Sequence, residues 1–180
     1  MIAQTKNNRK ILLRRLISAD FDKLSDYLHQ LSPETLRRFG PHGFDKEAIR
    51  DLFENTHTHI GCIGLESETS EIIAYSILKI GYLEHDSFRL QSYGLALDME
   101  TDCTFAPSVA DAWQSLGVGN CMFQFVLSEL KALRVKRIIL WGGVQADNDK
   151  AVNYYLQNGF RILGEFEYNG RNFDMISEIA

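Results

Sequence analysis

Two periods of apolar residues divide this chain into strands and helices. Residues 10–17 (Lys-Ile-Leu-Leu-Arg-Arg-Leu-Ile) read as a first strand. After Ser18, the residues Phe21, Leu24, Tyr27, Leu28 and Leu31 recur at helical spacing and give one apolar face. Ser32-Pro33 places a capping hydroxyl before a proline at the first helical position, so a second, short helix starts there and breaks at Gly40-Pro41-His42-Gly43. Asp45 caps a third helical segment with Ile49, Leu52 and Phe53 inward. Residues 59–65 and 71–82 read as a strand pair around the polar turn 66–70.

Downstream the alternation tightens. Residues 103–110 form a short, mostly buried strand, and Met122, Phe123, Val126, Leu127, Leu130 and Leu133 mark a helix. A strand lies at 138–141, and a helix over 149–157 ends at Gly159. Residues 160–168 and 172–179 close the chain as two strands around Asn169-Gly170, a strong hairpin signal. The order is β, helices, several β, then α, β, α, β, β. It specifies an α/β (mixed α+β) protein, a mixed sheet with helices on both faces.

Composition narrows the function classes. At 180 residues the chain is expected to be one domain, 1–180, with residues 1–9 as a flexible tail. A net charge of −5 argues against nucleic acid as a partner. No apolar run is long enough to span a membrane, and residues 1–10 lack a signal-peptide core, so the expected compartment is cytoplasmic. Cys62, Cys103 and Cys121 show no C-x-x-C spacing, and the five histidines form no metal-ligand pattern, so no metal is implied. Cys62 and Cys103 read as buried packing residues, and Cys121 sits in the first turn of a helix with no catalytic partner nearby in sequence.

The stretch Gln114-Ser115-Leu116-Gly117-Val118-Gly119 joins the strand at 103–110 to the following helix. The first N–H groups of a helix have no partner inside it, and the dipole turns its positive end outward. Glycines let a ligand approach the chain without meeting a Cβ. A phosphate or pyrophosphate suits that place. Other glycine motifs fail: a dinucleotide fingerprint needs a small residue where Met122 stands, and a Walker loop needs Gly-Lys-Ser/Thr.

These residues resemble the GNAT superfamily of acyl-CoA N-acyltransferases. Gln114, Gly117 and Gly119 match that family's Q/R-x-x-G-x-G/A pattern, and Val109 stands where the family ends its fourth strand. A second signature follows as Val144-x-x-x-Asn148-x-x-Ala151-x-x-x-Tyr155-x-x-x-Gly159-Phe160. The resemblance implies a twisted, mostly antiparallel sheet of about seven strands, splayed between the fourth and fifth. It implies acetyl-CoA as co-substrate, with its pyrophosphate held by the N–H groups of Ser115, Leu116, Gly117, Val118, Gly119 and Asn120. The pantetheine arm would pair with backbone near Val109, a form of strand addition. Asn148 would bond that arm or cap the helix, and Ala151 and Tyr155 would complete the cofactor contacts.

The implied reaction is N-acetyl transfer to a primary amine, on a small molecule or a peptide. Tyr155 matches the family's general acid for the leaving thiolate. The general base departs from the pattern, because many relatives carry a glutamate where this chain has Thr104. Asp102, on the same strand face as Thr104, is the first choice, followed by Glu100 and Asp98; a water chain is an equal alternative. Residues 83–101 are an insertion between the third and fourth strands, with a turn at His85-Asp86-Ser87. It reads as a solvated acidic loop, or as a border of the acceptor pocket whose Glu84, Asp86, Asp98 and Glu100 favour a cationic amine. A non-catalytic CoA-binding module, a longer acyl donor and a homodimer stand as alternatives.

Overall fold

The structure is a computed structural model and describes residues 1–179. These fall into two compact units. The first comprises Met1–Leu78 and Ala106–Ser128, and the second Lys79–Phe105 and residues 129–179.

In the first unit β1 (Ile2–Gln4), β2 (Lys10–Arg15), β3 (His59–Glu66) and β4 (Ile72–Ile80, whose last two residues belong to the second unit) hydrogen-bond in that order. β1 pairs antiparallel with β2, Ile2 opposite Leu12 and Gln4 opposite Lys10. The expected tail at 1–9 is therefore a strand and a turn. Local periodicity could not announce it, because Ile2 is 75% exposed and β1 is only three residues long. β2 buries alternate residues, Ile11 and Leu13, and runs antiparallel to β3. β4 is buried at every position from Ile72 to Leu78, so apolar cover is needed on both of its faces.

Three helices follow β2. A 3-10 turn at Ser18–Asp20 leads into α1 (Phe21–His29). α2 (Pro33–Arg38) is capped by Ser32 Oγ, which accepts from Thr35 N–H at 3.3 Å. α3 (Lys46–Glu54) is capped by Asp45, which accepts from Ala48 N–H at 2.9 Å. Both caps satisfy backbone donors that the helix itself cannot. Phe21 and Phe53 stack at 6.0 Å and hold α1 against α3.

β5 (Asp102–Val109) begins in the second unit and ends in the first. It pairs in parallel with β6 (Arg137–Leu140), from Asp102 opposite Arg137 to Phe105 opposite Leu140. That ladder ends at Phe105, and Pro107 just beyond has no N–H to extend it. They stand where the resemblance expects a fourth and a fifth strand, offset by one because β1 precedes them. β6 then pairs antiparallel with β9 (Arg171–Glu178), which also takes β7 (Val144–Gln145) and β8 (Arg161–Glu167). The strands number nine among the described residues, against about seven expected, the additions being β1 and the two-residue β7. Asn169 and Gly170 both adopt positive φ in the β8–β9 turn, as a tight hairpin requires.

The insertion at 83–101 is also corrected. In place of a wholly looped segment it contains a 3-10 turn (Glu84–Asp86) and α4 (Ser87–Ser92). Leu90 and Leu95 pack with Ile139 and Ile176. Arg89 Nε donates to Asp174 at 2.7 Å, Arg89 Nη2 lies 2.8 Å from Asp86, and the guanidinium sits 3.8 Å over the Phe166 ring. Tyr93 hydroxyl donates to the same Asp174 at 3.0 Å. Gly164 makes room for it, since a Cβ there would stand 2.3 Å from the Tyr93 ring. Of the acidic side chains assigned to an amine-facing border, Asp86 is buried in this network and Glu84 remains exposed.

Candidate functional site

β5 carries the chain to Val109, and Ala110 N–H donates to Ile73 O at 2.9 Å. One 3-10 turn, Asp111–Trp113, then reverses it. Gln114 Nε2 donates to Val109 O at 3.1 Å, tying the turn to the strand end. Asp111 ties it to α2, accepting from Ser32 N–H at 3.0 Å, Ser32 Oγ at 2.8 Å and Thr35 Oγ1 at 2.9 Å. Desolvation opposes ionisation of Asp111, yet the bonds from Ser32 and Thr35 outweigh it and hold the carboxyl below its usual range.

The turn itself is left-handed at Ser115, φ 63°, and at Gly117, φ 87°. α5 (Val118–Ala132) starts next, and Cys121 N–H donates to Gly117 O at 3.1 Å. Among the described residues the N–H groups of Ser115, Leu116, Gly117 and Val118 have no hydrogen-bond partner, whereas Gly119 and Asn120 are engaged. Three consecutive donors before α5 and that of its first residue, Val118, are therefore unpaired, and the dipole of this 15-residue helix adds positive potential at the same end. Among the described residues beyond its chain neighbours, a Cβ at Gly117 would meet only Lys6, at ordinary contact distance, so the glycine is required by its φ. This donor set suits a diphosphate.

In the second unit Asn148 caps α6 (Asp149–Gln157), which carries Ala151 and Tyr155. Asn148 Oδ1 accepts from Ala151 N–H at 3.2 Å, so the cap is made. Tyr155 is 8% exposed, its ring 5.2 Å from both Phe160 and Tyr154. Among the described residues its hydroxyl has no hydrogen-bond partner. Burial pushes its pKa well above that of an ordinary tyrosine, so the proton is retained near neutrality. Tyr154 is half-buried, and its pKa is likewise raised by burial.

Asp102, the first choice of base, is engaged in a buried ion pair. Its carboxylate is 1% exposed, lies 2.7 and 2.8 Å from Arg137 Nη2 through its two oxygens, and accepts from Asp98 N–H at 2.8 Å. Thr104, which stands at the glutamate's position, donates through Oγ1 to Gly81 O at 3.0 Å, and of the next candidates Asp98 accepts from Glu100 N–H and Thr101 N–H. Glu100 is exposed. Sequence reasoning missed Lys6, whose backbone N–H donates to Leu116 O at 2.9 Å. No local pattern could reveal a contact with so distant a segment.

Comparison with known proteins bears on the family and the fold. A family model described as acetyltransferase (GNAT) family matches residues 25–160. No curated protein sequence matches the chain. Among solved structures, the GNAT domain of S. lividans PAT is 14% identical with a TM-score of 0.73, covering 99% of this chain and 96% of that one. An acetyltransferase of the GNAT family from Streptococcus pneumoniae is 16% identical with a TM-score of 0.69, covering 94% and 99%. A spermidine N-acetyltransferase chimera from Vibrio cholerae and hSSAT is 18% identical with a TM-score of 0.69, covering 93% and 95%. These likenesses are of fold. With the family match over most of its length, the chain belongs to the GNAT acetyltransferase family.

Proposed function

We propose that this protein is an N-acetyltransferase that moves an acetyl group from acetyl-CoA to a primary amine by direct attack within a ternary complex. The observation that carries the reading is the run of unpaired N–H groups from Ser115 to Val118, at the start of α5. Bound acetyl-CoA supplies the activated acyl group and the leaving thiolate. Ser115 to Val118 bind the diphosphate, and the backbone at Val109 orients the pantetheine arm. Tyr155 holds a proton at its hydroxyl for the departing sulfur, and its raised pKa keeps that proton in place at working pH.

An acceptor amine with a pKa near 10.4 must lose a proton before attack. With Asp102 and Asp98 engaged and Thr104 in place of a glutamate, water carries that proton away in this reading. No helix among the described residues is long and apolar enough to cross a membrane, which is compatible with action in the cytoplasm. The test is direct. Purified protein supplied with acetyl-CoA and a panel of small and peptide amines should release free thiol with at least one acceptor. Binding of CoA without acylation of any amine would favour the second reading, a non-catalytic CoA-binding module. The absence of a free carboxylate base on β5 is the observation behind it.

A further inference from the structure

The glycine turn carries no cation of its own. No lysine or arginine occurs between Arg89 and Lys131, and the nearest charge in sequence is the carboxylate of Asp111. A diphosphate held only by N–H dipoles beside an acid would lack a counter-charge. The N-terminal hairpin supplies one. Between β1 and β2 the chain turns over residues 5–9, closed by Thr5 N–H to Arg9 O at 2.9 Å and by Arg9 N–H to Thr5 Oγ1 at 3.0 Å, with Asn8 at φ 64°. This turn docks on the glycine turn at two places. Lys6 N–H donates to Leu116 O at 2.9 Å, and the Arg9 guanidinium lies 3.7 Å over the Trp113 ring. Arg9 is also committed to an ion pair with Glu66. Lys6 is exposed and has no ion-pair partner among the described residues, and its stem lies along Gly117, with Cγ 3.5 Å and Cε 3.8 Å from where a Cβ would stand.

We propose that Lys6 is a cofactor-binding residue of this chain, placing its ammonium on the diphosphate bound at residues 115–118. The inference rests on the proposed acyl-CoA reading and adds a contact from a segment outside both family signatures. A lysine suits the role as a point charge on a flexible stem. The N-terminal hairpin then has a function beyond edging the sheet: it fixes the turn through Leu116 and delivers the charge.

Calorimetric titration decides it. Wild-type protein and the Lys6→Ala and Lys6→Arg variants are titrated with CoA, 3′-dephospho-CoA and S-acetylpantetheine. Lys6→Ala should weaken CoA and dephospho-CoA alike by about tenfold, as expected for loss of one charge-assisted contact. Lys6→Arg should stay within about threefold, since the charge is kept. S-acetylpantetheine, which has no diphosphate, should bind all three proteins equally. The loss should shrink at high salt. Equal binding of CoA by wild type and Lys6→Ala overturns the proposal while leaving the acyl-CoA reading intact. A loss for CoA with none for dephospho-CoA overturns it too, because the ammonium would then serve the 3′-phosphate. If wild type binds no CoA at all, the functional reading itself fails and this inference with it.

Discussion

Arg137 Nη2 reaches both oxygens of Asp102, at 2.7 and 2.8 Å, and donates to Ala96 O at 2.6 Å. The pair joins the first residues of β5 and β6 to the end of the α4 segment. Arg137 Nε has no partner, so the site is fully committed on the carboxylate side and under-satisfied on the other. Removing one member of such a buried pair typically costs about 3–5 kcal/mol, because the other charge is left alone. Asp102→Ala should therefore lower the urea midpoint sharply, while kcat per folded molecule stays within a few-fold of wild type. The double change Asp102→Leu with Arg137→Met should recover much of the stability. A catalytic base would show the reverse: an intact fold with kcat largely lost.

Gly117 offers a separate test of the turn. An alanine there must adopt φ 87°, which costs an L residue roughly 1–2 kcal/mol. The new methyl group meets Lys6 only at ordinary contact distance, so strain dominates over clash. Gly117→Ala should lower the thermal midpoint by a few degrees and weaken CoA binding, as the turn relaxes and its N–H groups rotate away. An unchanged Kd for CoA would show that the donors of 115–118 are not the diphosphate site.

Much of this was legible in the sequence because the signals were local. Ser32-Pro33, Asp45 and Asn169-Gly170 each act through the next few residues, and each forms the cap or turn its chemistry dictates. The glycine turn was legible for the same reason. What escaped depends on distant partners. α4 has one buried residue, Leu90, and is held by Arg89 on Asp174, 85 positions away. Asp102 looked free because its partner lies 35 residues downstream. β7 is two residues long beside Gly142 and Gly143, too short for any period to register.

His42 gives a prediction in pH. Its Nδ1 donates to Gly43 O at 2.6 Å, which leaves Nε2 to accept from the Tyr75 hydroxyl at 2.9 Å. Burial lowers its pKa below 6.5, with the Gly43 bond acting weakly in the other direction. The unfolded chain therefore takes up this proton first as the pH falls. Stability is present above the unfolded pKa and is lost as pH drops towards the folded one. The thermal midpoint should fall below about pH 6.5. His42→Gln, which keeps an acceptor for Tyr75 and does not titrate, should flatten that limb. An identical acid limb in the variant would assign the loss to other groups.

Tyr155 separates packing from chemistry most cleanly. Its ring lies against Phe160 and Tyr154, and its hydroxyl bonds nothing among the described residues. Tyr155→Phe keeps the ring and removes only the hydroxyl, so stability should change by no more than about 0.5 kcal/mol. Affinity for acetyl-CoA should be preserved. Turnover should fall by roughly 10²–10⁴ if the hydroxyl protonates the departing sulfur. The raised pKa adds a second readout, since wild-type activity should show no loss from tyrosine ionisation up to about pH 10. A variant with full turnover would reduce Tyr155 to a core residue and move the proton donor elsewhere.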